Sequence, residues 1–121
     1  MTKKVILIAD DNEINVKLSR KILENDYEIV TVSDGEMAVS KTKEILPSLV
    51  IMDIDMGNMD GITATKILKE DTKTKSIPII LITAHSLTFD KSRIEESGCD
   101  DFITRPIKMK ELITAVERNL K

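Results

Sequence analysis

Cysteine is almost missing from this chain: Cys99 is the only one in 121 residues. A lone cysteine excludes an internal disulfide and fits a reducing compartment. Tryptophan is absent and the aromatics are few, and no basic–aromatic surface suited to nucleic acid can be picked out. His85 is the only histidine, and it has no histidine or cysteine partner at ligand spacing, which argues against a transition-metal site. Long apolar runs are missing too. The N-terminal run from Val5 to Ala9 is too short for a signal-peptide core and meets Asp10 and Asp11 at once, and no stretch approaches a membrane span. There is no Gly-rich phosphate loop, no Ser/His/Asp arrangement, no repeat and no low-complexity linker. A net charge of −3 gives no general attraction to nucleic acid or to an anionic membrane. A cytoplasmic protein is expected.

What is present is ordinary for a soluble globular domain: 41% hydrophobic and 32% charged residues in a length that suits one domain, 1–121. Apolar runs alternate with amphipathic stretches, the pattern of βα units on a parallel sheet. Strands are expected at Val5–Ala9, Tyr27–Val32, Leu49–Asp53, Ile77–Ile82 and Asp101–Thr104. Pro78 belongs at the start of its strand, where a missing N–H does least harm. Helices are expected after Asp10-Asp11-Asn12, over Glu36–Leu46 with Pro47 as its stop, from Gly61 to Leu68, over Leu87–Ser97 with Gly98 as its stop, and over Met109–Leu120. In the first helix, Ile14, Leu18 and Ile22 recur every fourth residue and read as the buried stripe. In the last, Leu112, Ile113, Val116 and Leu120 form the apolar face. The methionines read as packing, with Met56 and Met59 placed in a loop where exposure is open to them.

The most informative stretch is Leu49-Val50-Ile51-Met52-Asp53. A continuous apolar run reads as a strand buried on both faces. Asp55, Gly57, Asn58, Asp60 and Gly61 follow as loop chemistry. Asp53 therefore stands at the carboxyl end of a central strand, where open α/β sheets place ligands. The first strand also ends in acids, so Asp10, Asp11 and Asp53 should converge. Carboxylates held that close raise one another's pKa unless a cation joins them, and Mg²⁺ suits a site of few carboxylates that retains waters. The alternative is that Asp10 and Asp11 merely cap the next helix. A carboxylate at a strand end can serve as a nucleophile toward phosphorus. Phosphoryl transfer also needs donors and positive charge around the equatorial oxygens. Thr83, beside Ala84 and His85, and Arg105, beside Pro106, are candidates at the fourth and fifth strand ends.

An acidic pair after strand one, an aspartate after strand three, a threonine after strand four and a basic residue before proline after strand five resemble the receiver domains of two-component response regulators. The resemblance runs from KVILIADDNEIN through LVIMDIDMGNMDG and IPIILITAHS to CDDFITRPIKMKEL. It implies a flavodoxin-like α/β fold: a doubly wound five-stranded parallel sheet, order 2-1-3-4-5, with five helices on both faces. It implies Asp53 as phosphoacceptor, with Asp11, Asp53 and the backbone carbonyl of Asp55 as Mg²⁺ ligands and Asp10 holding a metal-bound water. Thr83 matches the switch hydroxyl, Phe102 the aromatic switch residue and Arg105 the cation that serves the phosphoryl oxygens. The implied partners are a histidine kinase or histidine phosphotransfer protein, and a downstream protein on the helix 4/strand 5/helix 5 face. The stand-alone, single-domain type is expected, with no output domain, as a monomer or a dimer. Its only catalysis would be of its own phosphorylation and dephosphorylation.

Three positions depart from the family pattern. Arg105 stands where lysine is usual, and the two cations are not interchangeable at a tight site. Phe102 lacks the hydroxyl of the frequent tyrosine. Gly57 replaces a frequent proline. Asp55 and His85 occupy positions that tune phosphate loss in the family. Arg105-Pro106 is cis by the resemblance, whereas the general preference of X-Pro bonds is trans. Two other readings stay open. Asp53-Ile54-Asp55 also resembles the nucleophile motif of haloacid-dehalogenase-type phosphatases, although that motif normally opens a chain and leaves Asp10 and Asp11 without a role. Arg105 admits a binding module that has lost phosphorylation.

Overall fold

The computed structural model describes residues 3–83 and 91–120. Its elements, in chain order, are β1 (Val5–Ala9), α1 (Glu13–Leu23), β2 (Glu28–Val32), α2 (Gly35–Ile45), β3 (Leu49–Asp53), α3 (Gly61–Glu70), β4 (Ile79–Thr83), α4 (Lys91–Ser97), β5 (Asp101–Thr104) and α5 (Met109–Asn119). All strand pairings are parallel and the order is β2-β1-β3-β4-β5. The expected architecture is what forms. The start expected for the fourth helix, with Ala84 and His85, falls outside the described residues.

The alternation of side chains along each strand divides the core in two. Leu7, Ala9, Val50, Met52, Ile79 and Leu81 pack with Ala38, Ile62, Leu68 and Ile94 from α2, α3 and α4. Ile8, Ile51, Ile80, Ile82 and Ile103 pack on the other face with Leu23 of α1 and Leu112, Ala115 and Val116 of α5. Both faces of β3 and β4 are therefore covered, which is why those strands read as unbroken apolar runs. Each such aliphatic side chain gains about 1.5–3 kcal/mol on full burial, so the central strands are the stiffest support the fold offers a site at their ends.

Some boundaries move. The second strand begins at Glu28 instead of Tyr27, because the Tyr27 N–H donates to the Leu23 carbonyl at 3.0 Å and belongs to the end of α1. The fourth begins after Pro78 and includes Thr83. Leu46, expected as the last helical residue of α2, instead caps it in the left-handed region at φ 47° before Pro47. Past α3, Lys69 ties the next connection down: its Nζ donates to the Ile77 carbonyl at 2.8 Å and to Asp100 Oδ2 at 2.7 Å. Met56 and Met59 are half-buried against the core.

One helix face is corrected. Ile14 and Leu18 of α1 are 76% and 48% exposed, while Ser19 and Leu23 are buried and Ile22 packs at the core's edge. A four-residue step advances about 40° around a helix, so a stripe that meets the core at Ile22 has already turned outward by Leu18 and Ile14. In α5, Ala115 takes a buried place and Ile113 is only half-buried.

Candidate functional site

Strand register builds the site. Ala9 pairs with Met52, so the next residues, Asp10 and Asp53, leave the sheet side by side. Thr83 pairs with Thr104 on the other flank, and Arg105 follows at once. The Arg105 N–H donates to the Thr83 carbonyl at 2.9 Å, fastening the fifth strand end to the fourth. The Arg105–Pro106 peptide is cis.

Carboxylate oxygens of Asp10, Asp11 and Asp53 lie within 4.8 Å of one another. Asp10 and Asp53 are 8% and 3% exposed, and Asp11 is at the surface. These acids are not the helix cap. That role falls to Asn12, whose side chain accepts from the Asn15 N–H at 3.0 Å. Asp10 Oδ1 instead takes the Asn12 N–H at 2.9 Å, which aims the carboxylate inward. Asp53 Oδ1 takes the Asp55 N–H at 3.2 Å. Asp55 itself is exposed on the loop.

Arg105 closes the pocket. Its Nη2 stands 2.9 Å from Asp10 Oδ2 and its Nη1 3.1 Å from Asp53 Oδ1. Its Nε–H is buried without a hydrogen-bond partner. Burial raises the Asp53 carboxyl from an ordinary 3.8 to about 6; the Asp10 charge adds to the rise, while Arg105 and the Asp55 N–H pull against it. The donor set is carboxylate oxygen alone, on a scale one small ion can bridge, which fits a hard divalent cation such as Mg²⁺ and not a soft one.

Thr83 is buried at the end of β4. Phe102, on β5, is 37% exposed beside Ile94, Glu95 and Cys99. Burial pushes the Cys99 thiol pKa up, so it behaves as packing. Ala84 and His85 lie outside the described residues. One hollow borders the acids and another borders Arg105. Asp10 and Asp11 line a groove of about 600 Å³ that runs between α1 and the end of β2. Arg105 lines a smaller one of about 330 Å³ with Asn15, Leu18, Pro106 and Ile107.

The receiver-domain model for response regulators matches residues 6–117. The chain belongs to the response regulator receiver family. Its fold is the flavodoxin-like one of that family, and it is a component of two-component signalling. Among curated proteins it is 35% identical over 118 residues to the polar-differentiation response regulator DivK of Brucella anthropi, covering 97% of this chain and 96% of that one. Among solved structures it is similar to the receiver domain of a signal transduction histidine kinase from Syntrophus aciditrophicus, with 36% identity, a TM-score of 0.91, and coverage of 97% and 89%. It is also similar to the receiver domain of a sensor histidine kinase from Pseudomonas aeruginosa, described with magnesium coordinated in its active site cleft, with 27% identity, a TM-score of 0.92 and coverage of 98% of each chain.

Two parts of this receiver's site had no clear signal in the sequence. The hold of Arg105 on Asp10 is one, since the residues are 95 positions apart. The other is Gly61, where a side chain would collide with the Asp53 carbonyl; the glycine marks a loop in sequence, but not the close approach.

Proposed function

We propose that this receiver takes a phosphoryl group from a phosphohistidine onto Asp53 and relays the change to a protein partner. The observation that carries the reading is the convergence of Asp10, Asp11 and Asp53 at one rim of the sheet, with Arg105 beside them. In the transfer, an Asp53 carboxylate oxygen forms the O–P bond as the P–N bond breaks and its electron pair returns to the imidazole. Asp11, Asp53 and the Asp55 backbone carbonyl would hold Mg²⁺, with Asp10 acting through a water. Bound there, the ion offsets the crowded carboxylates and the charge of the transferring oxygens. Arg105 and the Thr83 hydroxyl serve the remaining phosphoryl oxygens.

The phosphoryl group adds roughly −1.5 to −2 charge at a buried rim. Thr83 is drawn toward it, and Phe102, now at the surface, turns inward. That repacks the α4/β5/α5 face for a downstream partner, as a population shift between two packings. The donor side is distinct: Leu18, Pro106 and Ile107 share a groove with Arg105, and Ile14 extends the exposed apolar stripe of Leu18 along α1. It suits the helix of a histidine kinase or histidine phosphotransfer protein that presents its phosphohistidine to Asp53. The receiver acts in the cytoplasm, as a monomer or a dimer. Among the described residues no helix is long and apolar enough to cross a membrane.

Acetyl phosphate and Mg²⁺, followed by intact mass measurement, test the reading. One added phosphoryl group is expected on the wild type and none on Asp53→Asn. Steady turnover of small phosphate esters would favour the phosphatase reading, and an unmodified wild type would leave a binding module.

A further inference from the structure

We infer that Arg105 is a built-in competitor of the divalent cation, so that this receiver loads Mg²⁺ only by exchanging it for a guanidinium. The inference rests on the Mg²⁺ reading of the acid pocket. Its basis is the fork. Nη1 holds Asp53 Oδ1 and Nη2 holds Asp10 Oδ2, the distances being 3.1 and 2.9 Å. Two of the three carboxylates able to meet at one ion are thus already bridged by one positive group. Both acids are buried and the Arg105 side chain is only 23% exposed, so water screens these pairs little. A charge-assisted bond to each acid is stronger than a neutral one, and the ion's gain must exceed that loss. Coupling of this kind is reciprocal: whatever favours the fork weakens the ion, and the reverse.

The chemistry is particular to arginine. A lysine ammonium is a compact point donor, whereas the planar guanidinium places separate N–H groups on separate acids. The fork also has a reason to let go. Its Nε–H is buried and unpartnered, a standing penalty that the present arrangement does not relieve. Once released, the same group remains a cation at the rim, free to meet an incoming phosphoryl anion.

The test is Mg²⁺ binding by calorimetry, with MgCl₂ as the only ligand, on the wild type, Arg105→Lys and Arg105→Met at about pH 8. The expected result is tighter binding in Arg105→Lys, by roughly tenfold, the worth of one charge-assisted hydrogen bond released. Arg105→Met should bind at least as tightly as Arg105→Lys. In the wild type, the guanidinium NMR signals of Arg105 should lose their protection from solvent exchange as Mg²⁺ is added. Equal affinity in wild type and Arg105→Lys would overturn the inference: with a gain in Arg105→Met, charge alone and not the fork would set affinity, and without one, position 105 would not compete with the ion at all. That outcome would leave the Mg²⁺ reading intact. Absence of binding in every variant would overturn both.

Discussion

A Cβ placed on Gly61 would stand 2.3 Å from the carbonyl oxygen of Asp53. The first turn of α3 therefore lies directly against the backbone of the candidate phosphoacceptor. The contact is reinforced one residue on, where the Gly61 N–H donates to the Ile54 carbonyl at 3.0 Å. What meets the Cβ is main chain at the end of a buried strand, which cannot step aside as a flexible side chain would.

Gly61→Ala is accordingly expected to destabilise the protein by about 1–3 kcal/mol, the usual range for overpacking, and to slow phosphorylation by displacing Asp53. Urea denaturation and the acetyl phosphate assay measure the two effects. A variant as stable and as reactive as wild type would show that α3 can move off the strand without consequence.

The raised Asp53 carboxyl makes a pH prediction. Its folded-state value of about 6 lies above the ordinary 3.8, so the folded protein binds this proton more tightly than the unfolded chain. Stability should then fall as pH rises from about 4 to about 6, with the whole loss present above that window, up to roughly 3 kcal/mol for a shift of this size. Asparagine cannot ionise. Without Mg²⁺, Asp53→Asn should melt higher than wild type at about pH 7.5, and the gap should narrow toward about pH 4.5. Thermal unfolding at the two pH values decides it, and a gap that did not depend on pH would contradict the account.

The outward stripe of α1 separates two kinds of donor. Leu18 is half-exposed, belongs to no core cluster, and lies on the groove that Arg105 and Pro106 share. Leu18→Asp should leave folding and acetyl phosphate labelling unchanged. Transfer from a phosphohistidine protein should fall about tenfold or more, as expected when an apolar anchor is removed from an interface centre. Equal rates with both donors would move the docking face elsewhere.

How much of this was written in the chain can be judged at α1. The sequence places the helix, its boundaries and its cap region, but its apolar stripe points to the wrong face. Ile14 and Leu18 face outward, and periodicity cannot tell an apolar face turned to the core from one turned to solvent. The acids show the opposite case. Asp10 and Asp53 could be brought together on paper because a parallel sheet aligns the ends of strands one and three. Whether Asp10 capped the helix could not be decided until Asn12 was seen to hold the Asn15 N–H.

The sequence by itself determined the alternation of strand and helix, the parallel sheet, and the presence of acids at two neighbouring strand ends, because local periodicity and run length carry that information. Only the tertiary structure decided that Arg105 reaches both Asp10 and Asp53, that Gly61 lies against the Asp53 carbonyl, and that Ile14 and Leu18 face away from the core. Each of these depends on how far one element sits from another and how it is rotated. Distance and rotation are set by packing across the whole domain, and no window of neighbouring residues contains them.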